Sequence, residues 1–342
     1  MRPDDLLQFY ARDPRAASLR EALGREGAKV EMHGAVGSAI PLAIAGMLAH
    51  EDEMAHPRHH VFVLDDKEQA AYFLNDLQSV LEDRRPVLFY PRSARVPYSE
   101  EATVENANIA MRAEVLNEIN GGRDGLLVVT FPEALAEQVI TRKELSDQTF
   151  TISLGETYTM DFLDEVLLAY DFEKVDFVYE PGQYSMRGGI VDIFSFSFDH
   201  PYRIEFFGDD VDSIRKFDPT SQLSVAKMTR ATIVPNVGNT SLHEAHEPFF
   251  GFLPQDAVLW MADAKRCAAG LDKAMERAKA HYDRLSGEVQ RTPPEELFLD
   301  GEHLESLLEP FGVVEFGGGT TWANRFILKY GMVAQPAFNK QF

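Results

Sequence analysis

Two textures of apolar and polar positions follow one another along the chain, and the first returns near its end. In the first, short apolar runs alternate with stretches of helical period. His60-Val61-Phe62-Val63-Leu64, Val87-Leu88-Phe89-Tyr90 and Leu126-Leu127-Val128-Val129-Thr130 read as buried strands. Between them Leu42 to Leu48, Lys67 to Leu81 and Ile109 to Ile119 repeat apolar residues every three or four positions and predict helices. Asp65 or Asp66 is placed to cap the second of these, whose buried face is Ala70, Phe73, Leu74 and Leu77. Gly121-Gly122 ends the third, and Pro132 opens another helix reaching Val139. Upstream, Asp4 to Leu23 has helical spacing split at Pro14, and Lys29 to His33 reads as a strand. Continuous apolar strands alternating with helices predict a parallel sheet covered on both faces.

The second texture has period two. Thr149 to Leu154 alternates, and Met160 to Tyr170 predicts a helix burying Phe162, Leu163, Val166 and Leu167. From Tyr179 to Phe217, Gly182, Gly188, Gly189 and Gly208 punctuate runs of β-branched and aromatic residues, the grammar of antiparallel strands and tight turns. Arg203 and Glu205 then share a wet face, while Ile204 and Phe206 face a core. Phe207 breaks the alternation beside Gly208 and is predicted to turn outward. Arg187, flanked by glycine, has little cover for its planar fork. Ala231 to Pro235 extends this β-rich stretch.

After Pro235 a loop-like segment leads to a buried strand at Ala257 to Met261 and a long polar helix from Ala264 to Leu285. Leu304 to Leu308 and Val313 to Phe316 predict a short helix and a strand; Gly317-Gly318-Gly319 reads as a turn before a strand near Phe326 to Leu328. These changes divide the chain into segments 1–148, 149–234 and 235–342. The expected architecture is α/β: a parallel-sheet domain with helices on both faces, a β-rich α+β domain, and a second, smaller α/β domain.

Composition narrows the function. Of 342 residues, 45% are hydrophobic and 26% charged, ordinary for a soluble globular protein. No apolar run approaches the roughly 18 to 20 residues of a membrane span, and the N-terminus has no signal core, so a cytoplasmic protein is expected. One cysteine, Cys267, excludes an internal disulfide or a cysteine-based zinc site. A net charge of −22 repels duplex DNA, and no Lys/Arg run exceeds a pair such as Arg84-Arg85. Proteins with basic patches are the better partners.

Three motifs carry candidate chemistry. Gly34-Ala35-Val36-Gly37-Ser38-Ala39-Ile40-Pro41 lies where a strand turns into a helix, as a phosphate loop does, and Gly34, Gly37 and Ser38 fit one. Ile40 stands where the phosphate-binding lysine belongs, and Pro41 where a Ser/Thr would hold magnesium, so the loop reads as an inactive relic. Asp164-Glu165 is an acid pair in mid-helix and reads as a solvated face, not the strand-end acids of an ATPase. His243 and His246, in H-E-A-H, lack metal-ligand spacing, and no metal is expected.

The stretch E-P-G-Q-Y-S-M-R-G-G-I-V-D-I-F followed by Y-R-I-E-F-F-G-D-D-V-D-S-I-R and K-F-D resembles domain 2 of the excision-repair subunit UvrB and of its relatives, the transcription-repair coupling factors. The eroded loop and the connection Pro91 to Asn108, which has one aromatic (Tyr98) where UvrB inserts an aromatic hairpin, favour the UvrB-homology module of a coupling factor. The alternatives are a UvrB-type excision nuclease subunit that binds nucleotide and damaged DNA, and an unrelated acidic scaffold. The resemblance implies a degenerate RecA-like domain 1A (1–148), a UvrA-binding domain 2 (149–234) and a truncated domain 1B (235–342), with Gln335 to Lys340 resembling the end of that third module. It implies no cofactor in this segment, with ATP and Mg in motor domains beyond Phe342. Its implied partners are UvrA, RNA polymerase and DNA through later domains, and an autoinhibitory contact with a C-terminal domain. Arg187, Arg203 and Phe207 fall on the family's UvrA surface. From residue types alone the two arginines read as surface ion pairs with Glu180, Asp192 or Glu205, and the register of the resemblance reverses that preference.

Overall fold

The computed structural model describes residues 3–33, 39–51, 54–82, 84–93, 106–196, 200–237, 245–284 and 292–316. Gly34, Gly37 and Ser38 of the eroded loop lie outside these, as do Tyr98, His243, the glycine triplet and everything expected beyond it. The chain forms two compact units. One comprises Met1–Arg92, Gly122–Gln138 and Pro248–Phe342; the other comprises Ser93–Gly121 and Val139–Glu247.

The elements run as follows. Helices α1 (Pro3–Ala11) and α2 (Pro14–Leu23) precede β1 (Lys29–Glu31), α3 (Ala39–Glu51), β2 (His60–Val63) and α4 (Lys67–Leu81). Then come β3 (Val87–Phe89), α5 (Asn106–Asn120), β4 (Leu127–Thr130), α6 (Pro132–Leu135), β5 (Val139–Ile140) and α7 (Arg142–Gln148). The β-rich stretch holds β6 (Phe150–Ser153), α8 (Met160–Ala169), β7 (Glu173–Lys174), β8 (Gln183–Arg187), β9 (Ile190–Ile193) and β10 (Tyr202–Phe207). It continues through β11 (Asp210–Phe217), β12 (Ser224–Met228), β13 (Arg230–Ile233) and β14 (His246–Glu247). Last are β15 (Val258–Met261), α9 (Ala264–Tyr282), α10 (Pro294–Leu297), α11 (Gly301–Leu308) and β16 (Gly312–Glu315).

The first unit is built on a six-stranded parallel sheet in the order β1-β16-β15-β2-β4-β3. Every residue of β2, β4 and β15 is buried, as the uninterrupted apolar runs require of central strands. The α3 segment is apolar nearly all round and is buried accordingly, whereas α4 and α9 bury one stripe each. Asp66 caps α4 by accepting from the Gln69 amide, and Asp263 caps α9 by accepting from Arg266. Lys29 is buried and its ammonium donates to the carbonyls of Leu308 (2.7 Å) and Phe311 (2.6 Å), closing the C-terminal end of α11. The Arg84-Arg85 pair is not a basic surface: Arg85 is buried and donates from Nε to the Gly125 carbonyl at 3.0 Å.

Strands from segments 1–148 and 235–342 thus share one sheet. Among the described residues, β15 and β16 do not form a second sheet of their own. The reason is burial. A strand with both faces and both edges covered needs a neighbour on each side, and β15 has β2 on one side and β16 on the other.

The second unit centres on another six-stranded sheet, β12-β11-β10-β9-β8-β7, antiparallel except where β7 meets β8. Strand β13 pairs with β6, and β14 with β5. The buried apolar side chains alternate on β9 and β10 (Val191 and Ile193, Tyr202 and Ile204), whereas on β11 Val211 and Ile214 lie three apart across an extra residue. Two expectations need correcting. Phe162 is exposed, because the short helix α8 buries only the Leu163 and Leu167 stripe, and its ring stacks instead on Tyr158. Phe206 is half-buried, because the ladder slips between Glu205 and Phe206: Glu205 pairs with Ser213 but Phe206 pairs with Val211, leaving Asp212 as an extra residue.

Candidate protein-docking site

Register gathers the site. In the β8–β9 hairpin Arg187 stands opposite Ile190 and Ser185 opposite Asp192; across β9–β10 Asp192 stands opposite Arg203. Side chains two residues apart share a face, so Arg187, Asp192 and Arg203 lie on one side of the sheet. Gly188, at φ +59, makes the tight turn that brings β8 back as β9.

Both arginines close on one carboxylate. Arg203 donates Nε to Asp192 Oδ1 (2.7 Å) and Nη2 to Oδ2 (2.8 Å), a side-on fork. Arg187 donates Nη2 to the same Oδ2 at 2.6 Å. Asp192 is 1% exposed, while the Arg203 and Arg187 side chains are 17% and 38% exposed. The bond to Asp192 raises the Arg203 guanidinium above its ordinary pKa range. Arg203 also donates to Gln222 Oε1 at 2.9 Å and lies 4.3 Å from the centroid of the buried Phe217 ring. Arg187 reaches the Asp176 carbonyl at 3.3 Å and stacks 4.7 Å from the centroid of Phe177, an exposed ring.

Phe207 ends β10 and is 83% exposed, as its break in the alternation predicted. The β-bulge at Asp212 and Gly208 at φ +64 turn it out. It lies at the same end of the sheet as the Gly188-Gly189 turn, since the Phe206 amide donates to the Gly189 carbonyl at 2.7 Å. Arg203 and Phe207 therefore lie on β10 and Arg187 on β8, two strands of one sheet separated by β9. Of the three ion-pair partners read from the sequence, only Asp192 pairs with these arginines: Glu205 accepts from Arg215 and Ser213, and Glu180 from Gln183. The sequence reading missed Phe177 and Gln222. Phe177 sits in an apolar-looking run with no outward signal, and Gln222 is distant in sequence.

The other candidate residues lie in the first unit. Ile40 and Pro41 occupy the first turn of α3, half-buried and buried. The carboxyl ends of the parallel strands, where such sheets ordinarily take ligands, carry Glu31 (β1), Glu315 (β16), Asp263 (after β15) and Asp65 (after β2). Burial, with the negative charge of Asp263 and Glu31, pushes Glu315 up to about 7. Burial likewise raises Asp65 above the usual carboxylate range. Among the described residues no cluster of His, Cys, Asp and Glu is arranged to hold a metal, and no helix is long and apolar enough to cross a membrane. Asp164 is not simply solvated: it accepts from Lys174 Nζ and Tyr184 Oη, both at 2.7 Å, tying α8 to β7 and β8.

Residues 150–238, which include the β-rich sheet with Arg187, Arg203 and the exposed Phe207, match the family described as the UvrB interaction domain. The longer sequence around it is similar to transcription-repair-coupling factors. That of Bacillus subtilis is 34% identical over 169 residues, 49% of this chain and 14% of its own length. That of Haemophilus influenzae is 24% identical over 261 residues, 76% of this chain and 20% of its own. UvrABC system protein B of Streptococcus suis is 33% identical over 94 residues, 27% of this chain and 14% of its own length. The matched stretches thus span a fifth or less of each of these relatives.

Proposed function

We propose that this chain is a recruiting module of a transcription-repair coupling factor, and that the β8–β10 face docks UvrA in nucleotide excision repair. The observation that carries the reading is Phe207, a large aromatic left 83% exposed at the end of β10, the strand that also bears Arg203. An isolated exposed phenylalanine gains nothing for the fold, and a buried-on-binding aromatic beside arginines is the composition of an interface hot spot. The net charge of −22 supports a protein partner over DNA for this segment. RNA-polymerase displacement, ATP- and Mg-driven translocation on DNA, and an autoinhibitory contact with a C-terminal domain are carried by the resemblance to coupling factors alone.

The test is UvrA binding by biolayer interferometry. Phe207→Ala should weaken it by roughly thirtyfold or more, the loss typical of a hot-spot aromatic, with an unchanged melting temperature. Arg187→Glu should weaken binding similarly and cost some stability, because Arg187 too is bonded to buried Asp192. Arg203→Glu should also weaken binding but lower stability, because it places a second carboxylate beside buried Asp192. Wild-type affinity in folded Phe207→Ala and Arg187→Glu would overturn the reading.

A further inference from the structure

Arginine side chains are long, and ordering one on binding costs conformational entropy. A surface that presents two of them is tighter if they are already fixed. Asp192 is the element on this face that can fix both. Its Oδ2 accepts from Arg187 and Arg203 together, at 2.6 and 2.8 Å, and its Oδ1 accepts from Arg203 Nε at 2.7 Å. The carboxylate is buried, so the pairing is weakly screened, unlike an exposed pair. Each guanidinium also has an aromatic ring against it, Phe177 under Arg187 and Phe217 under Arg203. The bonds to Asp192 and Gln222 use Nε and Nη2 of Arg203 and do not involve its Nη1. The forks are held from below, and Arg187 remains over a third exposed.

We propose that Asp192 is the positioning residue of this docking surface: it touches no partner, and it pre-orders Arg187 and Arg203 for contact. The inference rests on the docking reading above and assigns the acid a role distinct from stabilising the sheet.

Two measurements on the whole chain test it. The first is affinity for UvrA of Asp192→Asn, Arg187→Ala, their double variant and Phe207→Ala. Asp192→Asn should weaken binding roughly tenfold, and the double variant should lose less than the product of its two single losses, because part of the Asp192 effect acts through Arg187. Multiplicative losses, or wild-type affinity for Asp192→Asn, overturn the inference while reduced affinity of Arg187→Ala and Phe207→Ala leaves the docking reading standing. Wild-type affinity of those last two variants overturns the docking reading and this inference with it. The second measurement needs no substitution: the guanidinium 15N NMR signals of Arg187 and Arg203 in the free protein. Slow rotation about Cζ–Nε and slow exchange of the Arg203 Nε proton are expected, and rotation as fast as that of solvated arginines would overturn it.

Discussion

At the scale of single residues, buried polar groups of the first unit set its response to pH. Trp260 donates Nε1 to His60 Nδ1 at 2.9 Å, which puts the imidazole proton on Nε2, and that proton goes to Glu51 at 2.7 Å. Arg58 pairs with the other Glu51 oxygen. Burial alone would raise the Glu51 carboxyl, but His60 and Arg58 hold it down at about 2. Burial keeps His60 neutral, below its ordinary 6.5. The unfolded chain gains a proton there below pH 6.5 and the native chain does not, so this contribution is present above pH 6.5 and declines as pH falls. Glu315 acts oppositely. The native carboxyl keeps its proton up to about 7 and the unfolded one loses it near 4.5, so its contribution is lost as pH rises through 7. Glu315→Gln should therefore raise stability by about 2 kcal/mol at pH 8 and change it little at pH 4.5. Thermal melts at the two pH values check it; equal shifts at both would show that the native and unfolded carboxyls titrate alike and that burial does not raise Glu315.

At the scale of elements, what was legible followed from local rules. The stripes of α4 and α9 and the cap of α4 were readable from the 3.6-period runs and from Asp66 one residue before the first; the Asp263 cap of α9 was not singled out in the sequence. The alternation of β10 was readable as far as Glu205. The slip beyond it was not, because the extra residue, Asp212, lies on β11 and a bulge is a property of the pairing. That β15 and β16 are strands was legible in Val258-Leu259-Trp260-Met261 and Gly312-Val313-Val314-Glu315. Which sheet they join was not, since parallel partners lie far off in sequence. The exposure of Phe207 was legible; the convergence of Arg187 and Arg203 on one acid needed the strand register. Close approach between helices also escapes the sequence. Gly46 of α3 faces α1, where an added Cβ would lie 2.7 Å from Tyr10 Cβ and 2.8 Å from its backbone carbon. Gly46→Val should cost about 2–3 kcal/mol by forcing the helices apart. Denaturant unfolding with a midpoint unchanged from wild type would show that α1 moves aside freely.

At the scale of the whole molecule, the parallel sheet is expected not to hold a nucleotide. Ile40 and Pro41 bring no cation and no metal-ligating hydroxyl to the first turn of α3. Glu31, Glu315, Asp263 and Asp65 place negative charge at the strand ends, where phosphates would lie. We expect no heat of binding when Mg-ATP is titrated into the chain at micromolar concentration; saturable heat, lost when Gly37 or Ser38 is changed, would reverse this expectation.

The strand order has a further consequence, for the protein's birth on the ribosome. Among the described residues, strand β1 pairs with β16 alone, and residue 29 finds its partner at residue 313. Residues 139 to 247 emerge between the two halves of the parallel sheet. At about 5–20 residues per second, β1 waits roughly 15 to 60 seconds for β16. Meanwhile the second unit, with its hairpins of neighbouring strands, is free to fold. The edge of β2 that β15 later covers stays open through most of that interval, an adhesive edge that nascent chains shield with chaperones. The docking module should thus mature first, with the parallel sheet closing only when the last strands leave the tunnel.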